Sequence, residues 1–450
     1  MMMLTTLLAF AVALGILVTF HELGHYAVAR LTGVRVLRFS FGLGPVLWSW
    51  RSSPRGTEWT LSAIPLGGYV KMLDEDEAPV PEHERSASFN CKPVGVRMAI
   101  VAAGPLANLL LALLVYWGVL LHGVQMVRPL LDEPPAGSAA ARAGLHAHDE
   151  IVRLAGEPVR GWDDLNWILL RHAGDTEPVR VRLADGSSEM LPVSGLKLDD
   201  AQHALTSQLG LKVFEPSIAP VIGTLIADGV AVRGGLRTGD RIRKVDGIAV
   251  TDWQQLVELV RARPGRPVEF AIDRQGRLLT VTLTPAAERE AGRAVGKIGA
   301  GPEIDPELAA QLLTTVRYPL LPALQGALVR TWQGIVLNLD MLRDLVLGRA
   351  SWHDLSGPLT IADYAGQSAR LGGVAYANFL ALISIGLGVL NLLPIPLLDG
   401  GHLMYHIAEF LRGEPVPQRV VELGQRLGLA ALLTLMFFAF YNDITRLLGS

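Results

Sequence analysis

The stretch FHELGHYAVAR, Phe20–Arg30, places two histidines and a glutamate directly after an uncharged run of twenty residues, Met1–Phe20. A run of that length is enough to cross a lipid bilayer as a helix. Ionisable side chains at the end of a membrane helix cost free energy and usually mark a functional site. The stretch therefore predicts chemistry at a membrane boundary.

His21 and His25 are four residues apart, so on a helix they lie on one face, one turn from each other. Two imidazoles at that spacing can bind one zinc ion, and Glu22 beside them can take a proton from a metal-bound water as a general base. A chance match to this pattern is expected in roughly one of a hundred similar proteins. The motif alone indicates zinc but leaves open a structural role for the histidines.

The composition is that of a membrane protein. Hydrophobic residues make up 50% of the 450-residue chain and charged residues 18%, and the mean hydropathy is +0.33. The net charge of −3 indicates no nucleic-acid partner. Cys91 is the only cysteine, which excludes an intramolecular disulfide and a cysteine-based zinc cluster.

Four uncharged stretches are candidates for membrane helices. The first could also be a signal peptide, but it lacks a basic beginning and a small-residue cleavage site, which favours a retained helix. We predict four transmembrane helices, at residues 1–25, 98–121, 371–399 and 421–443.

The loop that follows the first helix, residues 26–97, contains nine lysines and arginines. Basic residues close to membrane helices favour the cytoplasmic side. We therefore predict a cytoplasmic or membrane-dipping β-rich loop here. Both termini and the long middle region then lie on the outer side of the membrane.

The middle region contains an internal repeat. Ala143–Gly156, AGLHAHDEIVRLAG, matches Gly234–Gly247, GGLRTGDRIRKVDG, at an offset of 91 residues. Each copy resembles a PDZ domain, and we predict PDZ domains at residues 125–215 and 216–300. His148 in the first copy stands where the second has Gly239, so the turn geometry of the first copy is less certain.

A catalytic zinc ion needs a third protein ligand. Asp399 lies in NLLPIPLLDGGH, residues 391–402, after an uncharged run of 28 residues, where prolines interrupt the helix. The aspartate could instead simply cap the helix and begin a loop, and His402 and His406 are alternative ligands. Asp399 is on the same membrane side as HELGH only if residues 305–350 do not cross the membrane. We therefore predict amphipathic surface helices at 305–350 rather than a fifth spanning helix.

The motifs HELGH, FSFGLGP (39–45), IPLGGYVKM (64–72), GPLAN (104–108) and NLLPIPLLDGGH, with the paired modules between them, resemble the site-2 protease family of intramembrane zinc metalloproteases. The resemblance implies zinc bound by His21, His25 and Asp399, with Glu22 as the general base. It also implies that Asn391 and Asn108 contact the substrate. For Asn108, an ordinary hydrogen bond between helices is nearly as good an interpretation.

The segment EWTLSAIPLGGYVKM, residues 58–72, has strand-forming residues and turn glycines but is too short to span a membrane. It resembles a membrane-dipping β-hairpin, and a soluble cytoplasmic hairpin is the alternative. Its free edge could pair with an extended substrate, which makes Gly67, Gly68 and Tyr69 candidate substrate-binding residues.

The sequence thus predicts a polytopic α-helical membrane protein with about four transmembrane helices, a membrane-associated β-hairpin region and two extracytoplasmic PDZ domains. By resemblance it is a metalloendopeptidase of the bacterial inner membrane, with the PDZ domains on the periplasmic side and membrane lipid around the helices. Its substrate would be a single-pass transmembrane protein of the anti-sigma-factor type after a prior outer cut, or a remnant signal peptide. The PDZ domains would act as a size filter or bind carboxyl termini.

Two other functions remain open at this point. A PDZ membrane scaffold would need neither zinc nor Glu22, although both halves of the zinc motif are intact. A metal transporter should carry more polar residues in its second and fourth membrane helices than this chain has. The oligomeric state is not predicted.

Overall fold

The computed structural model describes residues 2–51, 53, 56–76, 79–194, 196, 205–226, 229–290, 293–348 and 357–447. They form two units: Met1–Val124 together with Arg317–Ser450, and Gln125–Val316. The predicted ranges 125–215, 216–300 and 305–350 each include some residues outside the described set.

In chain order, the helices are α1 (Met2–Leu31), α2 (Val94–His122), α3 (Ala139–Arg142), α4 (Trp162–Arg171), α5 (Leu205–Leu209), α6 (Val230–Arg233), α7 (Trp253–Arg261), α8 (Pro306–Leu312), α9 (Leu320–Val346), α10 (Pro358–Leu371), α11 (Gly373–Leu392), α12 (Asp399–Arg412) and α13 (Gln418–Leu447). A short 3-10 helix lies at Glu82–Ala87, before α2.

In the same order, the strands are β1 (Val36–Arg51), β2 (Glu58–Met72), β3 (Val124–Val127), β4 (Ile151–Leu154), β5 (Glu157–Pro158), β6 (Val179–Leu183), β7 (Ser188–Leu191), β8 (Ile222–Leu225), β9 (Arg241–Val245), β10 (Ile248–Ala249), β11 (Val268–Arg274), β12 (Arg277–Leu283), β13 (Ala286–Glu290), β14 (Arg293–Lys297), β15 (Ala300–Pro302) and β16 (Leu313–Val316).

Four helices in the described part of the chain are long and apolar enough to cross a membrane, as the sequence predicted. All four differ from the predicted bounds, and two of the differences affect the site. α1 continues beyond residue 25 to Leu31, so HELGH lies inside the helix and not at its end. α11 ends at Leu392 rather than 399, because Pro394 and Pro396 cannot donate the hydrogen bonds that would continue it. The four candidate spans are Met3–Leu31, Val94–His122, Gly373–Leu392 and Gln418–Thr445.

Small residues let the membrane helices α1, α2 and α11 approach closely. A Cβ on Gly24 of α1 would lie 2.3 Å from the carbonyl oxygen of Ala103 in α2. A Cβ on Gly388 of α11 would lie 3.0 Å from the carbonyl oxygen of Pro105, also in α2. Such close backbone contacts are the usual basis of helix association in a bilayer, where burial of apolar surface gives little driving force.

The sequence predicted helices alone for the range 305–350, and the structure differs from that prediction. The range contains the short helix α8, the strand β16 and then α9, a single helix of 27 residues. Trp117 of α2 donates a hydrogen bond to the carbonyl of Leu320 at the start of α9, and Gly334 of α9 lies against Ile385 of α11. α9 therefore packs along membrane helices while leaving an apolar face exposed, which includes Trp332 and Leu337.

The strands β1 and β2 fold back on themselves. Phe39 pairs with both Val70 and Trp59, and Trp50 also pairs with Trp59. Four segments therefore lie side by side in the order 46–51, 58–62, 36–41 and 68–72. In the part of the chain that the structure describes, no further strand pairs with the outer edge of segment 68–72.

The second unit contains two four-stranded sheets with the same topology, β5-β4-β6-β7 and β10-β9-β11-β12. Each sheet is accompanied by one amphipathic helix, α4 or α7, and each has its own buried apolar core. The two copies differ in sequence at one turn, where the first has His148 and the second has Gly239. The geometry of the turn is nevertheless the same, since His148 (φ 69°) adopts the left-handed conformation of Gly239 (φ 89°). The repeat found in the sequence is thus a repeat of structure.

Candidate metal centre and active site

His21 and His25 face the neighbouring helix α2 from inside α1. Their ring centroids are 4.8 Å apart and their planes nearly perpendicular. Gly104 of α2 provides the space for the second ring, because a Cβ at this position would lie 2.2 Å from His25 Nε2. The close approach of α1 and α2 thus determines where the imidazole nitrogens lie.

Asp399 is the first residue of α12, after the proline-containing loop 393–398. The loop turns sharply, with Leu397 at φ 107°, a conformation that costs a non-glycine residue free energy. Gly400 allows the helix to begin against the loop, since a Cβ there would lie 2.1 Å from the carbonyl oxygen of Leu393. The turn directs the Asp399 carboxylate towards the histidines.

The donor atoms of His21, His25 and Asp399 converge on one point. Asp399 Oδ2 lies 3.1 Å from His21 Nε2, Asp399 Oδ1 lies 3.6 Å from His25 Nε2, and the two Nε2 atoms are 3.2 Å apart. Tetrahedral zinc ligands at about 2.0–2.1 Å from the ion are about 3.3 Å from one another. The three spacings therefore fit a single zinc ion.

The ring of His25 is held in the tautomer that a metal requires. Its Nδ1 lies 2.8 Å from the carbonyl oxygen of Ile100, which can only accept a hydrogen bond. Nδ1 therefore carries the proton and donates it, and the lone pair of Nε2 is directed to the other ligand atoms.

His21 is oriented by Asn108, a fully buried residue of α2. The amide nitrogen of Asn108 lies 3.3 Å from His21 Nδ1, and its buried Oδ1 has no hydrogen-bond partner. The amide oxygen and nitrogen of Asn108 can be exchanged, because their assignment is decided by the hydrogen-bond network around them. In the exchanged orientation, His21 Nδ1–H donates a hydrogen bond to Asn108 Oδ1. The exchange frees Nε2 of His21 for a metal ion, so the surroundings of His21 are compatible with zinc.

Glu22 and the edge of β2 border the same cavity as the ligands. The cavity has a volume of about 370 Å³, and its walls include the three ligands, Glu22 and the segment Tyr69–Met72. The backbone N–H of Val70 donates a hydrogen bond to the Glu22 carboxylate. Glu22 therefore lies between the metal-ligand cluster and the outer edge of segment 68–72.

Comparison with known proteins identifies the family of this chain. The model of peptidase family M50 matches residues 9–435. The chain belongs to peptidase family M50. The Regulator of sigma E protease of Salmonella typhi is 42% identical over 450 residues, 99% of each chain. The Regulator of sigma-E protease RseP of Escherichia coli strain K12 is 42% identical over 448 residues, 98% of each chain. A Vibrio cholerae relative, 38% identical over 446 residues and 98% of each chain, is named as a zinc metalloprotease.

Membership of family M50 confirms three predictions made from the sequence: the site-2 protease family, a metalloendopeptidase activity and zinc as the cofactor. The four apolar helices agree with a membrane peptidase.

The substrate-binding candidates occupy different places in this M50 site. Tyr69 lines the cavity. A Cβ on Gly68 would lie 3.5 Å from Cγ of Glu22 and 2.7 Å from the carbonyl oxygen of Ser40, so this glycine lies between α1 and the sheet. Gly67 is in the turn before it, at φ 125°. Asn391 lies in the last turn of α11 and is not part of the cavity wall.

Three contacts of the site were not predicted from the sequence: the carbonyl of Ile100, the space at Gly104 and the backbone N–H of Val70. Two of them are backbone groups, which carry no residue-specific signal. Only Gly104 has a signature, since it lies in the small-residue run AAGP (102–105), which is typical of a close helix contact.

Proposed function

We propose that the protein hydrolyses peptide bonds inside the transmembrane segments of single-pass membrane proteins. His21, His25 and Asp399 would hold the zinc ion, and Glu22 would be the general base. The convergence of three ligand atoms at 3.1–3.6 Å beside a glutamate and the outer strand of the β1–β2 sheet carries this proposal.

When bound, zinc lowers the pKa of a water molecule towards 7 and polarises the carbonyl that is attacked. The protein keeps the ligands ready for this role, since Ile100 and Asn108 orient the two imidazoles. The ligand side chains are largely buried, at 12% exposure for each histidine and 22% for Asp399. Low exposure strengthens their hold on a cation, because water competes poorly at such a site.

The described wall of the cavity contains three carboxylates: the ligand Asp399, Asp74 and Glu22, which belongs to the HELGH motif. We assign it to accept the proton of the attacking water and to deliver it to the leaving amine. The hydrogen bond from Val70 N–H fixes the carboxylate beside the strand edge. The base is thereby placed where an extended substrate would lie.

The substrate must be extended before it can be cut, because a helix hides its carbonyls in internal hydrogen bonds. The outer edge of segment 68–72 offers backbone groups to such a chain in the manner of an added strand. Alternate residues of a strand point to the same side, so Gly68 and Met72 share the direction of the Val70 N–H. The absence of a side chain at Gly68 avoids a clash with the carbonyl oxygen of Ser40, from which an added Cβ would lie 2.7 Å away.

The exposed edge segment 46–51 and the turns of the β1–β2 sheet favour insertion into the membrane over a soluble hairpin. Leu47, Trp48 and Trp50 are 53–68% exposed, and Leu43 and Ile64 at the turns are also exposed. A contiguous apolar surface of this kind on a soluble loop would promote aggregation, whereas a bilayer would cover it. Tyr26 anchors the sheet to α1 by packing on Phe39 and Trp59.

We assign the two modules of the second unit as PDZ domains on the periplasmic side of the bacterial inner membrane. Their repeated strand order and helix placement support this assignment. The name Regulator of sigma E protease, carried by relatives that match over 99% of their length, supports a substrate of the anti-sigma-factor type. We propose in addition that this substrate is cut on the outer side first. Remnant signal peptides are the second substrate class.

Cleavage of a model single-pass substrate by the purified protein tests the activity. Glu22→Gln should bind zinc normally and reduce cleavage by at least about 10²-fold, the scale of a lost general base. Asp399→Ala should lose zinc as well as activity, and a chelator should abolish cleavage until zinc is restored. Glu84→Gln, on the 3-10 helix away from the cavity lining, is the matched carboxylate control. Undiminished cleavage by Glu22→Gln would refute the mechanism.

Cysteine labelling in sealed cells tests the orientation. In a Cys91→Ser background, a cysteine at Glu75 should react with a membrane-impermeant reagent only after the membrane is opened. A cysteine at Arg277, in β12 of the second unit, should react in cells whose outer membrane has been permeabilised and whose inner membrane is intact. Reversed labelling would contradict the proposed sidedness of both units.

A further inference from the structure

A contact between α2 and α12 lies at the opposite end of α12 from Asp399. Arg97, in the first turn of α2, donates a hydrogen bond of 2.7 Å from Nη2 to Oε1 of Glu409, near the end of α12. Arg97 Nε also donates to the carbonyl of Lys92 at 3.1 Å. His406 lies beside the pair, with Nδ1 3.5 Å from Arg97 Nη1.

The two charges are unfavourable in their own helices. A cation near a helix N-terminus and an anion near a C-terminus both oppose the helix dipole. Both side chains are only 15% exposed, so each would also lose solvation without its partner. The hydrogen bond from Arg97 lowers the pKa of Glu409, which is therefore ionised at neutral pH. The ion pair between Arg97 and Glu409 therefore offsets the unfavourable position of each charge in its own helix.

α12 connects this ion pair rigidly to the ligand Asp399. Ten residues of helix separate Asp399 from Glu409, about 15 Å at 1.5 Å per residue. At its beginning, α12 rests on the proline loop through Gly400 and Gly401, where added Cβ atoms would lie 2.1 and 2.4 Å from backbone oxygens. A helix held only at that end could tilt about the loop, and metal–ligand distances tolerate only about 0.2 Å.

We propose that the Arg97–Glu409 ion pair is a positioning contact that fixes α12 against α2 and thereby holds Asp399 at the metal. The proposal rests on the proposed role of Asp399 as a zinc ligand. Neither residue of the pair lines the cavity, so both act through the helix and not on the substrate.

Zinc affinity of the purified full-length protein, measured by competition with a chelating dye, tests the contact. Arg97→Ala and Glu409→Gln should each weaken zinc binding by about tenfold, the lower end of the effect of groups that orient a metal ligand. In cleavage assays they should lower kcat and leave KM unchanged, because the strand edge is unaltered.

The charge swap Arg97→Glu with Glu409→Arg should restore zinc affinity to within about threefold of wild type, since the pair re-forms and each charge then suits its helix dipole. Glu84→Gln is the matched control. It breaks the Arg35–Glu84 pair of the same unit, whose side chains are 24% and 21% exposed, without touching α12, and it should bind zinc as wild type does.

Wild-type zinc affinity in both single variants would overturn the proposal. So would a loss that the charge swap does not restore, or that Glu84→Gln shares, because either would indicate general destabilisation. The Asp399→Ala protein, run in parallel, separates the two ideas. If it binds zinc like wild type, the proposed ligand role of Asp399 is wrong; if it loses zinc while the Arg97 and Glu409 variants do not, only the positioning contact is wrong.

Discussion

Replacing Gly104 by alanine should remove zinc from the protein without altering any ligand. The added Cβ would lie 2.2 Å from His25 Nε2, 2.6 Å from Cε1 and 2.8 Å from Cδ2. Ordinary contacts between such atoms are about 3.5 Å. The ring would therefore have to move by more than about 1 Å, whereas zinc–ligand distances allow about 0.2 Å.

The neighbouring structure leaves His25 little freedom to adapt. Its Nδ1 is held by the carbonyl of Ile100, on the same helix as Gly104, and α1 cannot retreat easily because Gly24 is packed on Ala103. We expect Gly104→Ala to lose His25 as a ligand and to bind zinc at least about 100-fold more weakly, or about 2.7 kcal/mol at 1.36 kcal/mol per tenfold change.

The assay is dye competition for zinc, with substrate cleavage as the second measurement. Gly95→Ala and Gly118→Ala are controls in the same helix, since nothing lies within 4 Å of an added Cβ at either position. They should bind zinc normally. In a His25→Ala background, Gly104→Ala should cause no further loss. Wild-type zinc affinity in Gly104→Ala, or an added loss in the double variant, would refute the steric argument.

Three further outcomes follow from the structure. Asn108→Leu should weaken zinc binding by about 10–100-fold, because His21 Nδ1 loses its partner; dye competition measures this, and unchanged affinity would contradict the orienting role. Burial alone would raise the pKa of Asp240, but hydrogen bonds from Arg274 and from the Arg237 N–H lower it overall. Its stabilising effect is therefore complete above the unfolded pKa of about 3.9 and is lost as the pH falls through the lower native value. Asp240→Asn should destabilise the second module by about 2–3 kcal/mol at pH 7 and by less near pH 3. The measurement is hydrogen exchange of the amides of β9 and β11, corrected for intrinsic rates. An equal loss of stability at both pH values would contradict a stabilising role of the ionised Asp240. Gly239→Ala should cost about 1 kcal/mol or more in the same measurement at pH 7, because the position is left-handed although open. A stability equal to wild type would show that φ of 89° is not required there.

Much of this protein was predictable from local sequence because the relevant signals are short in range. Twenty uncharged residues before His21 specify a membrane helix by length and hydropathy alone. The i, i+4 spacing of His21 and His25 specifies a shared helix face, and Glu22 follows from the same motif. The offset of 91 residues between the modules revealed two copies of one fold, which the two sheets share.

The tertiary structure decided what depends on contacts between distant segments. Asp399 was one of three candidate ligands in its region, and only the turn at Leu397 shows that it is directed to the histidines. For Asn108 the sequence left open a substrate contact or a hydrogen bond between helices, and the register of α2 against α1 brings its amide to Nδ1 of His21. Backbone groups such as the carbonyl of Ile100 have no signature in sequence. Local patterns can specify an element and the face it presents, whereas the distances between ligand atoms are determined by helices that meet across hundreds of residues.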